Sequence, residues 1–242
     1  MLEKVKSPEV RFKGFNNDWV QRKLGDIGST FTGLSGKTKE DFGHGDAKFV
    51  TYMNVYSNPV SNLELVDSVE IDSKQHEVEY GDVFFTTSSE TAAEVGMSSV
   101  WLGRSPNVYL NSFCFGYRPD KNIDTLYLAY ALRTNNVRAQ LMLLAQGISR
   151  YNISKTKTMD VLLDLPHIDE QTKIGMFFKT LDDTITLHQH KLKKLKSIKK
   201  AMLEKILPQN GNCVPEVRFA GFTDDWEQRK LGDIGSTFTG LS

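Results

Sequence analysis

The sequence predicts an α+β chain: a globular mixed α/β domain followed by one long coiled-coil helix. Three observations carry that expectation. Short β-branched and aromatic runs, separated by Gly, Pro, Asn and Ser, fill the stretch to about residue 165. From Asp169 to Leu207 there is no proline, one glycine (Gly175), and an apolar row advancing by alternating four and three residues. Finally, PEVRFKGFNNDWVQRKLGDIGSTFTGLS (8–35) returns without gaps as PEVRFAGFTDDWEQRKLGDIGSTFTGLS (215–242).

The two copies differ only at Lys13/Ala220, Asn16/Thr223, Asn17/Asp224 and Val20/Glu227. Their offset of 207 residues far exceeds the roughly 20–50 residues of a solenoid repeat. It is the size of a domain plus a connector. Residues 1–207 therefore read as one complete unit, 208–214 as a linker, and 215–242 as the truncated start of a second unit.

In chain order, the expected strands are KFVTYM (48–53), ELVDSVEI (64–71), GDVFFTTS (81–88), SSVWLG (98–103) and VYLNSFCFGY (108–117). Asp124 is an N-cap candidate for the helix DTLYLAYALRT, and a second short helix, VRAQLMLLAQ, ends at Gly147. The polar Thr134-Asn135-Asn136 separates them, and TMDVLLDLP (158–166) reads as a last buried strand ending at Pro166. Residues 1–166 thus form the domain and 167–207 the helix. The helical seam runs Ile174, Phe178, Leu181, Ile185, His188, Leu192, Leu195, Met202 and Ile206, with only His188 and Lys199 breaking the apolar series. Such a helix extends about 60 Å and cannot bury its stripe on itself, so it requires a second helix from elsewhere. A polar residue such as His188 inside a seam sets register.

Composition narrows the class. Uninterrupted apolar runs such as LMLLA (141–145) are far below the roughly 18 residues of a membrane span. No apolar stretch follows the N-terminal Met-Leu-Glu-Lys, so a cytoplasmic location is expected. Cys114 and Cys213 form neither a disulfide framework nor a metal spacing, and read as reduced thiols. The net charge of zero conceals a sorted distribution. Residues 64–94 carry nine acids against one base, Lys74. Residues 133–159 carry Arg133, Arg138, Arg150, Lys155 and Lys157 without an acid, and 184–203 hold six lysines without one.

No catalytic constellation assembles from the motifs. GLSGKTKED (33–41) contains Gly-Lys-Thr, but Phe31 stands where a phosphate loop needs its first glycine. A surface loop projecting Lys37 and Lys39 is the better reading. An Asn-Pro-Pro-aromatic loop for methyl transfer is missing, Asn58-Pro59-Val60 being the nearest approach, and Asp72-Ser73-Lys74 precedes Pro119-Asp120 in the wrong order for a metal nuclease. His188 and His190 lie two apart on a helix and diverge, so no metal and no other cofactor is expected.

Two polar loops suit a nucleic acid better. TTSSETAAEVG (86–96) offers Thr86, Thr87, Ser88 and Ser89 to phosphates or base edges; its plainer reading is an ordinary polar turn. QGISRYNISKTK (146–157) interleaves Ser149, Arg150, Lys155 and Lys157 with Tyr151 and Asn152. Arg and Asn are the side chains suited to bidentate pairing with guanine and adenine; in the plainer reading Arg150 and Tyr151 only pin the turn.

Taken in order, PEVRFKGFNNDWVQRKLGDIG, GDVFFTTSSET, LAQGISRYNIS, LPHIDEQTKIGMFFKTLDDTITLHQHKLKKLK and VPEVRFAGFTDDWEQRKLGDIG resemble a specificity (S) subunit of type I restriction–modification systems over essentially the whole chain. The resemblance implies a non-catalytic reader of double-stranded DNA whose target-recognition domain reads half of a split target. It implies docking of adenine-methylating modification subunits, and of restriction subunits that add ATP-driven translocation and cleavage. S subunits carry two such domains and two long helices paired antiparallel. This sequence has one of each, like a half-subunit, which implies a homodimer through the long helix reading a palindromic split site. One copy of the repeat is then expected to pack on the domain, and the other to lie at its margin or reach a neighbouring protomer. The alternatives are a coiled-coil scaffold without DNA reading and, disfavoured by the missing motifs, a stand-alone nuclease or methyltransferase.

Overall fold

The computed structural model describes residues 4–5, 8–209 and 211–240. The chain forms two compact units, residues 1–180 and 181–242. The first is built, in chain order, from β1 (Lys4–Val5), β2 (Trp19–Lys23), β3 (Gly28–Thr32), β4 (Phe42–Val50), α1 (Tyr52–Ser57), β5 (Val66–Val69), β6 (Val83–Thr86), β7 (Ser88–Ser89), β8 (Ser98–Val100), β9 (Val108–Leu110) and β10 (Cys114–Pro119). There follow α2 (Thr125–Ala131), α3 (Asn135–Leu143), β11 (Tyr151–Asn152), α4 (Lys155–Thr158), β12 (Leu162–Leu165) and the long α5 (Ile168–Ile206), which continues into the second unit. The second unit adds one short helical turn, α6 (Leu231–Ile234).

Among the described residues four sheets result, ordered β1-β2-β12, β3-β10-β6-β8, β11-β7 and β5-β4-β9, and of their strand pairs only β4 and β9 run parallel. The four-stranded sheet is covered on both faces. Strand β6, VFFT, is buried at every residue. Its alternation sends Val83 and Phe85 into a core shared with Leu128, Leu132 and Leu141 of α2 and α3. Phe84 points the other way, toward Val50, Trp101 and Leu110. A run buried on both faces reads as continuous hydrophobicity rather than alternation.

The expected fold class holds, with local corrections. The run 48–53 is a strand only to Val50; Thr51 then caps α1 by accepting from Asn54 N–H at 3.3 Å. The buried Asn54 amide fixes that turn by donating to the carbonyls of Asn62 and Leu65. The run 108–117 divides into β9 and β10, because the Asn111 side chain accepts from Phe113 N–H at 2.8 Å and turns the chain. Instead of one helix-to-strand turn, residues 151–158 form β11 and then α4, capped by Ser154. Asp124 caps α2 as expected, accepting from Tyr127 N–H at 2.8 Å, and α2 and α3 are separate helices.

The base of α5 is fastened to the domain by polar anchors. Glu170, fully buried, accepts from Arg11 Nε at 2.7 Å and Nη2 at 2.6 Å. Gln171 accepts from Asp124 N–H and donates to Pro166 O. Gly175 sits where α5 crosses the start of α2; a Cβ there would lie 2.6 Å from Tyr127 N. The first two seam positions are consumed locally, Ile174 against the core and Phe178 against the Tyr130 ring. Beyond them Leu181, Ile185, Leu192, Leu195 and Met202 are exposed, as is His188, while Ile206 is half-buried.

Candidate nucleic-acid interface

The two polar loops, read separately in the sequence, meet in the structure. Strands β7 and β11 pair antiparallel, with Tyr151 opposite Ser89 and Asn152 opposite Ser88. Gln146 and Asn152 exchange backbone hydrogen bonds at 2.9 and 2.8 Å, which closes residues 147–151 into a tight projecting turn. Gly147, at φ +143°, makes this possible, since a Cβ there would stand 2.0 Å from Arg150 O. The tip therefore presents Ile148, Ser149 and Arg150 to solvent, with Ile148 97% exposed.

A third element joins them. Tyr52 and Tyr56, one turn apart on α1, stack with ring centroids 6.2 Å apart and planes 15° from parallel. Tyr52 Oη donates to Ser88 O at 2.7 Å, and Tyr56 Oη donates to Glu94 Oε1 at 2.6 Å. Together with Met53, Ser88, Ser89, Glu90 and Arg150 these residues line a cavity of about 230 Å³. The hydrogen bond from Tyr56, then that from Thr91, holds the Glu94 carboxyl below its usual range. Burial pushes the Tyr52 phenol up, and the bond to Glu94 does the same at Tyr56.

The predicted site residues separate into two groups by what their polar atoms already do. Arg133 donates to the carbonyls of Ser98, Val55, Tyr56 and Asn58, and Arg138 to those of Gly96, Ala93 and Val95. Lys37 is ion-paired to Asp72 at 2.9 Å. Thr86, fully buried, accepts from Met97 N–H, and Thr87 Oγ1 donates to Phe113 O. Ser88 and Ser89 are buried, and Ser89 Oγ donates to Glu94. These groups build the loop platform. By contrast the Arg150 guanidinium makes no hydrogen bond or ion pair with any described residue, its backbone carbonyl alone accepting from the Asn152 amide at 3.5 Å, and the ammonium groups of Lys155 and Lys157 pair with no described carboxylate. Ser149, Asn152 and Lys157 are exposed on the same segment, Tyr151 and Lys155 half-buried; Lys39 is exposed in a separate turn, residues 39–41.

The charge sorting of the sequence acquires a physical meaning here. Three of the nine acids of the acidic stretch are neutralised within the domain, Arg118 binding Asp82 and Glu79 and Lys37 binding Asp72, while His44 contacts Glu70. The basic stretch divides instead into arginines turned inward and cations left outward. The Tyr52/Tyr56 pair was not foreseen. Its sequence signal is two tyrosines four apart in YMNVYS, obscured by assigning the first of them to the strand 48–53.

Among the described residues no group of three or more His, Cys, Asp or Glu could hold a metal ion. Among the same residues no helix is long and apolar enough to cross a membrane. Cys114 is buried and Cys213 exposed, both free thiols.

Fold and site together define a two-part protein, a sheet-based domain presenting polar loops and a long helix presenting an exposed apolar seam. The chain belongs to the type I restriction modification DNA specificity domain family, which it matches over residues 16–197. Similar solved structures include one described as the basis of complex assembly and conformational transition of the type I R-M system (16% identity, TM-score 0.55). Others are the HsdS subunit from Thermoanaerobacter tengcongensis (16% identity, TM-score 0.50) and the type I S subunit from M. genitalium (13% identity, TM-score 0.48). Each alignment covers 83% of this chain and 46–47% of the other, so the chain spans about half the length of those relatives. At such identities the likeness is one of fold. No curated protein matches the sequence.

Proposed function

We propose that this chain is a non-catalytic DNA-specificity subunit that reads one half of a split target and docks modification and restriction subunits. The observation that carries the reading is the convergence of α1, β7 and the 146–157 segment on one surface, where the Arg150, Lys155 and Lys157 cations, the Tyr52/Tyr56 rings and the Asn152 amide stand beside a single exposed acid of the cavity rim, Glu90. Phosphate-facing cations beside a side chain able to read a base edge are what sequence recognition requires. In this reading Arg150 and Asn152 approach the bases, while Lys155 and Lys157 contact phosphates. Lys37, Thr86, Thr87, Arg133 and Arg138 support the platform, because their polar atoms are engaged internally.

Two chains paired through the seam from Leu181 to Met202 would present two identical readers, and identical readers related by a two-fold axis select inverted half-sites. Co-expression with a cognate modification subunit, followed by mapping of methylated adenines, tests the whole proposal. A split motif with inverted-repeat halves is expected; the absence of any motif would refute it.

A further inference from the structure

The second copy of the repeat carries an unfilled version of the contact that fastens the first. Residues 11–17 and 218–224 fold alike. Phe15 N–H donates to Phe12 O at 3.4 Å and Phe222 N–H to Phe219 O at 3.4 Å. Gly14 and Gly221 both take positive φ, +100° and +93°. Arg11 Nη2 donates to Asn17 O, and Arg218 Nη2 donates to Asp224 O. Because that acceptor is a backbone carbonyl, the Asn/Asp difference leaves it intact.

The copies diverge in what the loop then touches. Arg11 turns Nε and Nη2 onto the buried Glu170, Phe12 meets Phe177 edge-on at 5.8 Å, and Lys173 lies over the Phe15 ring. In the second copy Arg218 Nε is buried without any hydrogen-bond partner among the described residues. Phe219 and Phe222 are about 70% exposed (70 and 68%). Lys13, Asn16 and Asn17, where the loops differ, are exposed in the first copy, so none of these changes alters its contact face. The second copy thus holds a preformed key whose lock is a carboxylate such as Glu170 at the base of a long helix.

Its own Glu170 is out of reach. Within α5 the stretch from Glu170 to Ile206 measures about 54 Å at about 1.5 Å per residue. The chain from Ile206 to Arg218 spans at most about 43 Å fully extended. It is far from extended here: Val217 N–H donates to Lys205 O at 3.0 Å, and Lys205 pairs with Glu216. A second chain supplies the lock if two α5 helices run antiparallel about His188. That register sets Leu181 opposite Leu195 and Ile185 opposite Leu192, and brings the end of one helix beside Glu170 of the other.

We propose that residues 215–226 are a docking arm for a second copy of this chain, seated on its Glu170 in exchange for that copy's own residues 8–19. The inference deepens the dimer reading above and needs no DNA. A fluorescent peptide of residues 212–230 is titrated against the full chain carrying Arg218→Ala, whose own arm is disabled. Saturable binding is expected, tightening about tenfold when Arg11→Ala also loosens the resident loop and weakening at least tenfold in a peptide with Arg218→Ala. In the full chain without peptide, Arg218→Ala should raise the dimer dissociation constant about tenfold by sedimentation. Since Arg218 is in the arm, this variant leaves the domain intact even if Arg11→Ala fails to fold. A peptide that does not bind, or binds equally with alanine at 218, overturns the arm. Methylation mapping and the helix variants below report separately on the reader and on helix pairing.

Discussion

Replacing Arg133 by alanine should damage the fold and spare the DNA-reading chemistry, the reverse of what Arg150→Ala should do. Arg133 Nε donates to Ser98 O at 2.7 Å, and Nη2 approaches the carbonyls of Val55, Tyr56 and Asn58 at 3.0, 3.1 and 2.9 Å. One guanidinium thereby ties the end of α1 to the edge of β8. Hydrogen bonds from a charged donor contribute about 1.5–3 kcal/mol each. Three of these share one nitrogen, however, and the freed carbonyls partly recover water, so the sum is not additive. A net loss of about 3 kcal/mol is expected. At about 2–4 °C per kcal/mol for a domain of this size, the melting temperature should fall by about 6–12 °C. Arg150, whose exposed guanidinium bonds to no described residue, should stay within about 0.5 kcal/mol of the parent stability. On the methylated target, its removal should cost about 1–3 kcal/mol of specific binding if it reads a base. If it touches only phosphate, affinity should instead fall alike on all sequences. Thermal denaturation and DNA titration of both variants decide the assignment. An Arg133→Ala protein that melts like the parent yet loses DNA affinity would refute the division into inward and outward cations.

Three further outcomes follow from other contacts. Replacing Leu181 and Leu192 with lysine should leave a folded monomer, read by sedimentation and circular dichroism, and a persisting dimer would remove the helix-pairing argument. Asp72 is held at about 2, below its ordinary 3.8, first by Lys37, then by the Gln75 amide and Lys74 N–H. Its stabilising contribution is therefore complete above about pH 4 and fades as pH falls from 3.8 toward 2; Lys37→Met should return the Asp72 titration, followed by NMR, toward 3.8. Gly175→Ala places a Cβ 2.6 Å from Tyr127 N and 2.7 Å from Leu126 Cβ, and should cost about 1–3 kcal/mol of thermal stability by forcing α5 off α2.

The parts legible in the sequence were those whose determinants are local or periodic. The proline-free stretch between Pro166 and Pro208 located α5 within a residue or two at each end, and Asp124 marked the start of α2. The segment 146–157 stood out because its cations occur without acids. What escaped depended on distant partners. Strand β2 exists because Leu162–Leu165 lies beside it 143 residues away, as the Gln21–Asp164 bond records. The β7–β11 pairing is two residues long and joins loops more than 60 residues apart, so no window of sequence contains it. The inward turn of Arg133 and Arg138 was illegible for a different reason. An arginine that satisfies carbonyls and one that awaits phosphate have the same local signature, and only the positions of the acceptors separate them.

The repeat isolates that dependence within one molecule. Residues 24–33 and 231–240 are both LGDIGSTFTG, followed by Leu-Ser in each copy; Leu241 and Ser242 lie outside the described residues. In the first copy Leu24 is fully buried, its carbonyl accepts from Tyr117 Oη at 2.9 Å, and residues 28–32 pair with β10. In the second, Leu231 is 83% and Phe238 94% exposed, and only Leu231–Ile234 takes a regular form, a helical turn. Identical residues become a strand where β10 offers an open edge and do not where none is supplied, so the edge decides. The four differences between copies sharpen the point. Three fall on exposed loop positions, whereas the fourth replaces half-buried Val20, packed on the core from β2, by Glu227. A carboxylate at that position would resist burial. The second copy therefore keeps the arginine, both phenylalanines and the glycine of the loop that grips Glu170 while changing the residue that seats its strand. Such a pattern separates the two halves of the repeat physically: a docking loop conserved between copies, and a strand whose formation is left to its surroundings.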